Sequence, residues 1–94
     1  MKFTESDRAY LRENCHESDS SIRQIESAVS ATTFEIETNG HFTRISARKA
    51  IELCGRTTFL SAMDRSAFHY TATCESVEGK AVHFDSTNYF KKKG

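Results

Sequence analysis

Residues 32–45 have the sequence TTFEIETNGHFTRI, and this stretch decides how the chain folds. Apolar and polar residues alternate before the dipeptide Asn39-Gly40 with the period of two that indicates a half-buried strand. Asn and Gly both tolerate a positive φ, so the dipeptide favours a two-residue type I′ turn between antiparallel strands. The register of this predicted hairpin follows from the loop length. The predicted pairs are Phe34–Ile45 and Ile36–Thr43 on the buried face and Glu35–Arg44 on the opposite face.

A second hairpin is predicted from residues 68–76 to residues 80–86, around the loop Val77-Glu78-Gly79. The apolar pattern decides the length of this loop. A three-residue loop with Gly79 in the left-handed bulge position gathers the apolar residues on one face, whereas a two-residue loop separates them. The pairs predicted with the three-residue loop are Cys74–Val82 and Ala72–Phe84.

Two helices are predicted before the first hairpin. Thr4 is suited to cap the first of them, because its hydroxyl can accept a hydrogen bond from the first turn, where acidic residues also suit the helix dipole. The polar run at residues 18–21 interrupts that helix, and Ser21 with Gln24 fits a capping box that begins the second. Apolar residues at helical spacing then predict its buried side. They are Ile22, Ile25, Ala28 and Val29.

Two further helices are predicted between the hairpins. Ser46 can cap a short helix over residues 47–54, and Gly55 suits the left-handed position just after its end. The next helix begins at Thr57 or Thr58, and its apolar residues fall at the i, i+3 and i+7 positions of one buried side. The inward residues predicted for the two helices are Ala50, Ile51, Cys54, Leu60, Met63 and Ala67.

The predicted fold class is α+β, with an antiparallel sheet packed by short helices. The elements follow the order helix, helix, hairpin, helix, helix, hairpin. A chain of 94 residues has room for one core, which we expect in a single small domain over residues 1–90. Residues 91–94 are predicted to form a basic tail after this domain.

Composition and charge exclude several classes of protein. No run of about 18 apolar residues is present, so no transmembrane helix is expected, and residues 1–5 lack the apolar segment of a secretory signal. Residues 1–40 contain four bases and eight acids, whereas residues 41–94 contain nine bases and five acids. The chain is therefore neutral but polarised, which predicts one acidic and one basic face.

The cysteines and histidines do not form a recognisable site. Cys15, Cys54 and Cys74 are far apart in the sequence, and an odd number of cysteines without an export signal predicts reduced thiols in a cytoplasmic protein. No C-x-x-C or H-x-x-x-H spacing supplies a pair of metal ligands, so we expect neither a metal ion nor another cofactor. The sequence motifs of nucleophilic and phosphate-binding enzymes are also missing. We therefore expect a protein that is not an enzyme.

Residues 44–69, RISARKAIELCGRTTFLSAMDRSAFH, suggest one function. A capped helix, a glycine turn, a second helix and a following hairpin resemble a winged helix-turn-helix protein of the excisionase type. The resemblance implies a DNA-binding protein with its recognition helix over residues 57–66 and its wing over residues 77–80. A pI of about 6.9 is low for an isolated DNA-binding domain, which makes this the alternative interpretation. The nucleic-acid-binding residues of this alternative are Arg48, Lys49, Arg56, Thr57, Thr58, Ser61, Arg65 and Lys80.

Residues 45–73 also resemble small accessory proteins carried by phages and other mobile elements of Gram-positive bacteria. The resemblance rests on the sequence segment RKAIELCG, which is followed by FLSAMDRSAFHYTA. It implies no activity and no site residues, but it does imply a class of role. Small non-enzymatic proteins of mobile elements often bind and block a host protein, as anti-CRISPR proteins do.

The leading interpretation is therefore a non-enzymatic protein-binding accessory module that regulates or inhibits a host protein, such as one that handles nucleic acid. Acidic residues concentrate in the first predicted helix and the loop after it. An acidic outer face there has the charge sign of nucleic acid, so it could occupy a basic site on the partner. The partner-binding residues of this interpretation are Glu5, Asp7, Glu13, Glu17 and Asp19.

Overall fold

The computed structural model describes residues 1–91, which contain five α-helices and four β-strands. The helices are α1 (Glu5–Asn14), α2 (Asp19–Ala28), α3 (Ala47–Cys54), α4 (Arg56–His69) and α5 (Thr87–Phe90). The strands are β1 (Thr33–Thr38), β2 (His41–Ile45), β3 (Thr71–Glu75) and β4 (Ala81–Asp85). Residues 92–94, and with them most of the predicted basic tail, lie outside the described residues.

The predicted fold class and the predicted order of elements are confirmed. The four strands form one antiparallel sheet in the order β2-β1-β4-β3, so pairing between β1 and β4 joins the two hairpins. The helices form a second layer on one face of this sheet. The first strand of one hairpin and the second strand of the other are central, so the two halves of the chain use their hairpins differently.

The first hairpin has the predicted turn and register. Phe34 pairs with Ile45, and the other predicted pairs are also present. Asn39 and Gly40 have φ values of 51° and 80°, so both central residues of the turn adopt the positive φ that a type I′ turn requires. Local turn chemistry and the apolar pattern therefore agree at this position.

The second hairpin has the predicted register but a shorter first strand. Cys74 pairs with Val82, and Ala72 pairs with Phe84. The Ser76 amide donates to the Lys80 carbonyl at 2.8 Å, which closes a three-residue loop as predicted. The prediction that residues 68–76 form a strand is wrong at its start, because α4 continues to His69 and β3 begins at Thr71. Between them Tyr70 is left-handed, with a φ of 70°, and ends the helix.

Polar side chains begin three of the helices, and two of these caps were predicted. The Thr4 hydroxyl accepts from the Asp7 amide, and the Ser46 hydroxyl accepts from the Lys49 amide. The prediction of a capping box at Ser21 and Gln24 is wrong. Ser18 is extended and accepts from the Ser21 amide instead, so α2 begins three residues earlier. Any of the hydroxyls in this polar run could cap, and the backbone conformation selects the first.

Gly55 alone connects α3 to α4. It has a φ of 86° and a ψ of 153°, a conformation that is accessible essentially only to glycine. The prediction of a glycine with positive φ at the end of α3 is confirmed, but the conformation is not the left-handed helical one. Because the connection is one residue long, α4 begins at Arg56 and not at Thr57 or Thr58.

The centre of the protein is α4. Phe59, Leu60 and Met63 are fully buried on this helix. The Phe59 ring lies 5.6 Å from the ring of Phe34 and 5.5 Å from the ring of Phe84, so α4 rests on the two central strands. Aromatic contacts at such distances supply much of the packing in a small core.

Three buried hydroxyl groups connect the helices to the sheet ends. The Ser86 hydroxyl lies 2.8 Å from the hydroxyl of Thr32 and 2.9 Å from the hydroxyl of Ser66. Thr32 also donates to the Ala28 carbonyl, and Ser66 donates to the Met63 carbonyl. Buried polar groups need partners of this kind, and the network joins the end of α2, the middle of α4 and the end of β4.

The first hairpin provides a direct test of its turn. Replacement of Gly40 by Val should lower the free energy of unfolding by about 1 kcal/mol or more, because a β-branched residue resists a positive φ. Chemical unfolding monitored by circular dichroism measures this change. Thr43→Val introduces the same side chain on the neighbouring strand and should be nearly neutral. Equal effects of the two substitutions would show that the turn does not constrain residue 40.

Candidate functional site

Asp7 does not belong to an exposed acidic face, in contrast to the expectation from the sequence. Its side chain is only 2% exposed. Its two carboxylate oxygens accept hydrogen bonds from Arg56 Nε at 2.7 Å and Nη2 at 2.6 Å, and one also accepts from the Thr4 amide at 2.8 Å. The Arg56 guanidinium holds the pKa of Asp7 below its ordinary value. The negative charge of Asp7 is therefore paired with Arg56 inside the protein and is not part of an exposed surface.

The other acids of α1 alternate with bases on its surface. Glu5 lies 3.3 Å from Arg8, and Asp19, just past the helix, lies 3.3 Å from Arg12. Glu13 is exposed, and within residues 1–91 it makes no ion pair. Because two arginines interrupt the acidic residues, the outer surface of α1 has mixed charge and is less acidic than its sequence suggests.

Glu17 faces a second carboxyl group. It is half-buried and lies next to the side chain of Asp64 of α4. Burial and the adjacent Glu17 raise the pKa of Asp64 to about 7, while the positive charge of Arg65 acts in the opposite direction. Asp64 Oδ1 is buried, and it has no hydrogen-bond partner within residues 1–91. This acid pair lies between the loop after α1 and the middle of α4.

The bases of the DNA-binding alternative have different neighbours in the structure. Arg48 and Arg56 line a groove of about 470 Å³ together with Lys2. Arg65 donates from Nη2 to the Thr73 carbonyl on β3 at 3.2 Å. The remaining two lie beside acids: Lys49 is 4.0 Å from Glu52, and Lys80 is 3.9 Å from Glu78.

The helix α4 is exposed in its first turn and at Arg65, and it is buried along its inner side. Thr57 and Thr58 are exposed in its first turn. Ser61 is half-buried, and its hydroxyl lies 2.7 Å from the Tyr10 hydroxyl of α1. The helix therefore packs between α1 and the sheet, and the Ser61 hydroxyl is on its side toward α1. The buried residues of α4 are Phe59, Leu60, Ala62, Met63 and Ser66.

The sheet has an uncovered face opposite the helices. Phe34, Phe84 and the residues beside them in the register point toward the helices. The residues that alternate with these along each strand lie on the uncovered face. We call this surface the open sheet face. It consists of Thr33, Glu35, Glu37, Phe42, Arg44, Thr71, Thr73, Glu75, Ala81, His83 and Asp85. None of these residues is buried. Four carboxylates accompany one guanidinium, so the open sheet face is acidic.

His83 lies at the centre of the open sheet face. Its Nε2 is 3.0 Å from Glu37 Oε1, and its Nδ1 is 3.3 Å from Thr73 Oγ1. The Phe42 ring meets the imidazole at a centroid distance of 5.2 Å and an angle of 61°. Phe42 is nevertheless 55% exposed. The strands thus present an aromatic pair, held in orientation by hydrogen bonds, among acidic side chains.

The sequence contained part of the signal for this face. The alternation in β1 places Glu35 away from the core, opposite Arg44, and this pair was predicted. What the pattern does not contain is the pairing of β1 with β4, which adds His83 and Asp85 to the same surface. It also does not show that all the helices pack on the other side, which leaves the surface open.

Two general features of residues 1–91 complete the description of the surface. This part of the chain contains no group of three His, Cys, Asp or Glu side chains arranged to hold a metal ion. Within the same residues, no helix has both the length and the apolar character needed to cross a bilayer.

No protein-family model, curated protein or solved structure gives a significant match to this chain.

The buried ion pair can be tested by removing one charge. Asp7→Asn should lower the free energy of unfolding by about 2 kcal/mol at pH 7, because it removes the charged acceptor of the Arg56 hydrogen bonds and of the α1 cap. The pKa of Asp7 is lowered in the folded state, so its contribution is present above the unfolded pKa near 4 and is lost as the pH falls below it. Denaturant titrations at pH 7 and pH 3 measure the difference. Asp19→Asn, at an exposed ion pair, should change stability by less than about 0.5 kcal/mol.

The acid pair predicts the opposite pH dependence. The raised pKa of Asp64 means that the folded protein holds a proton between about pH 4 and pH 7 that the unfolded chain releases, so stability falls as the pH rises through this window. Asp64→Asn should therefore gain stability over the wild type on going from pH 5 to pH 8. The size of this gain depends on the difference in the pKa of Asp64 between the folded and unfolded states, at about 1.4 kcal/mol for each pKa unit. Glu13→Gln is the control, and a constant difference for Asp64→Asn at both pH values contradicts the prediction.

Proposed function

We propose that this protein is a non-enzymatic protein-binding module that regulates or inhibits a cytoplasmic partner, and that it docks through the open sheet face. The partner surface is basic, as in a protein that handles nucleic acid. The observation that carries this proposal is the uncovered sheet with four carboxylates, one guanidinium and an exposed aromatic pair.

The charge of the open sheet face supports a basic partner. Glu35, Glu37, Glu75 and Asp85 contribute four negative charges, and Arg44 contributes one positive charge. A surface with this excess attracts a basic surface over several ångströms and repels nucleic acid. Complementary charge of this kind raises the association rate and selects the partner.

The aromatic pair supports docking at the centre of the same face. Protein interfaces concentrate their binding energy in a few aromatic or arginine side chains that a polar rim surrounds. Phe42 is large and exposed, and the contact with His83 orients it. The carboxylates around this pair have the position of such a rim. An exposed phenylalanine with acidic neighbours therefore suits a partner that has an apolar pocket bordered by bases.

The sheet replaces α1 as the proposed docking surface. On α1, Arg8 and Arg12 compensate the acids, and Asp7 is buried. The role of an accessory protein of a mobile element, with an anti-CRISPR-like inhibition as one form of it, stays a prediction from the resemblance of residues 45–73. The proposed docking surface is independent of that origin.

Charge reversal on the sheet tests the proposal. The variant Glu35→Lys/Glu75→Lys should slow association with the partner at least about tenfold at low salt, because steering by opposite charges accelerates association by roughly 10–10³-fold. The partner is first identified by quantitative affinity capture with wild type and variant in parallel. Association rates are then measured with the purified partner at two salt concentrations.

A matched control separates the two acidic surfaces. Glu5→Lys/Glu13→Lys makes the same change in net charge on α1 and should leave the association rate within about twofold, with both variants checked for folding. Loss of binding only in the α1 variant restores the acidic helix as the docking surface. Submicromolar, sequence-dependent binding to duplex DNA that Arg65→Ala abolishes supports the winged-helix alternative, since non-specific affinities are about 10⁻⁴–10⁻⁶ M.

A further inference from the structure

Two cysteines that are distant in the sequence are in contact in the core. Cys54 Sγ lies 2.7 Å from Cys74 Sγ, although 20 positions separate the residues. Both side chains are free thiols, and both residues are buried, at 6% and 7% exposure. Cys54 is the last residue of α3, and Cys74 is in the edge strand β3. The third cysteine, Cys15, is elsewhere, near Ser61 and Asp64.

The backbone around the two thiols holds them together. The Val77 amide, just after β3, donates to the Leu53 carbonyl at the end of α3 at 2.9 Å. Pairing with Val82 turns Cys74 toward the core. The Gly55 connection then directs the chain away into α4. The contact therefore results from the packing of α3 against β3, and the sulfur atoms need not move far to bond.

We propose that Cys54 and Cys74 are a redox-modification site, which a low-molecular-weight disulfide such as oxidised glutathione converts into a reversible intramolecular disulfide. Each protein molecule loses two thiol hydrogens, and one small disulfide is reduced to two small thiols. The protein is the electron donor, and the small disulfide is the oxidant. Excess small thiol reverses the reaction.

The surroundings of the two thiols set the order of the steps. A surface depression of about 320 Å³ at the second hairpin includes Cys74 among its lining residues, so we assign the first attack to this cysteine. The Cys74 thiolate attacks the small disulfide, forms a mixed disulfide and releases one small thiol. Burial raises the pKa of Cys54 to about 12, so this thiol reacts second. Cys54 loses its proton to the released thiolate, attacks Cys74 Sγ and displaces the second small thiol.

Oxidation fastens the end of α3 to the edge of the sheet. The new bond closes a loop of about 20 residues that contains all of α4. Such a loop reduces the entropy of the unfolded chain, so the oxidised protein should be more stable than the reduced one. The reduced form remains the state expected in a reducing cytoplasm, and the disulfide records exposure to an oxidant.

Mass spectrometry on the full chain tests the proposal. The Cys15→Ala variant, which retains the pair, is equilibrated in mixtures of reduced and oxidised glutathione. We expect it to lose the mass of two hydrogen atoms and to gain no stable adduct, and its Tm to rise by roughly 10 °C. Dithiothreitol should reverse both changes. An unchanged mass, or an unchanged Tm after bond formation, overturns the proposal.

Single variants test the order of attack. With Cys54→Ala, glutathione should remain attached to Cys74, since the second thiol is missing. With Cys74→Ala, the folded protein should acquire neither a disulfide nor an adduct at Cys54. If either variant does not fold, peptide mapping of the oxidised wild-type protein locates the bond. A bond to Cys15, or adducts on both Cys54 and Cys74, contradicts the assignment.

Discussion

The ion pair between Asp7 and Arg56 joins the start of α1 to the start of α4 within the helix layer. One buried carboxylate completes the cap of α1 at Thr4 and binds the guanidinium at the start of α4. A buried carboxylate is stable only with such partners, so the two helix starts must lie together. With its first turn fixed there, α4 lies under α1 and against the sheet. The apolar side of α4 is then buried by Phe59, which packs on Phe34 and Phe84.

The position of α4 has consequences on both sides of the sheet. On the inner side, the helix covers Phe34 and Phe84 and makes a single core. On the outer side, no described helix packs, and the acids of β1, β3 and β4 share one surface with Phe42 and His83. The same arrangement buries the inner side of α4 and leaves the opposite face of the sheet uncovered.

The buried hydroxyl and thiol groups of this small core lie where separate segments of the chain meet. The hydroxyls of Thr32, Ser66 and Ser86 meet where α2, α4 and β4 converge, and the thiols of Cys54 and Cys74 meet where α3 reaches β3. Neither group is apparent in a local stretch of sequence. Both have short contacts in the fold, which is why a pair of distant cysteines can be a redox site.

The sequence by itself determined the features that neighbouring residues encode. Turn chemistry and alternation set both hairpin registers, and Thr4 and Ser46 set two helix starts, since these interactions span a few residues. Tertiary structure alone decided the strand order, the burial of Asp7, the thiol pair and the open sheet face. Those features depend on contacts between residues up to about 50 positions apart, and one sequence pattern is compatible with several such packings. The acids before the first hairpin therefore do not form the uniformly acidic face that their sequence predicts, because Arg8, Arg12 and Arg56 pair with Glu5, Asp19 and Asp7.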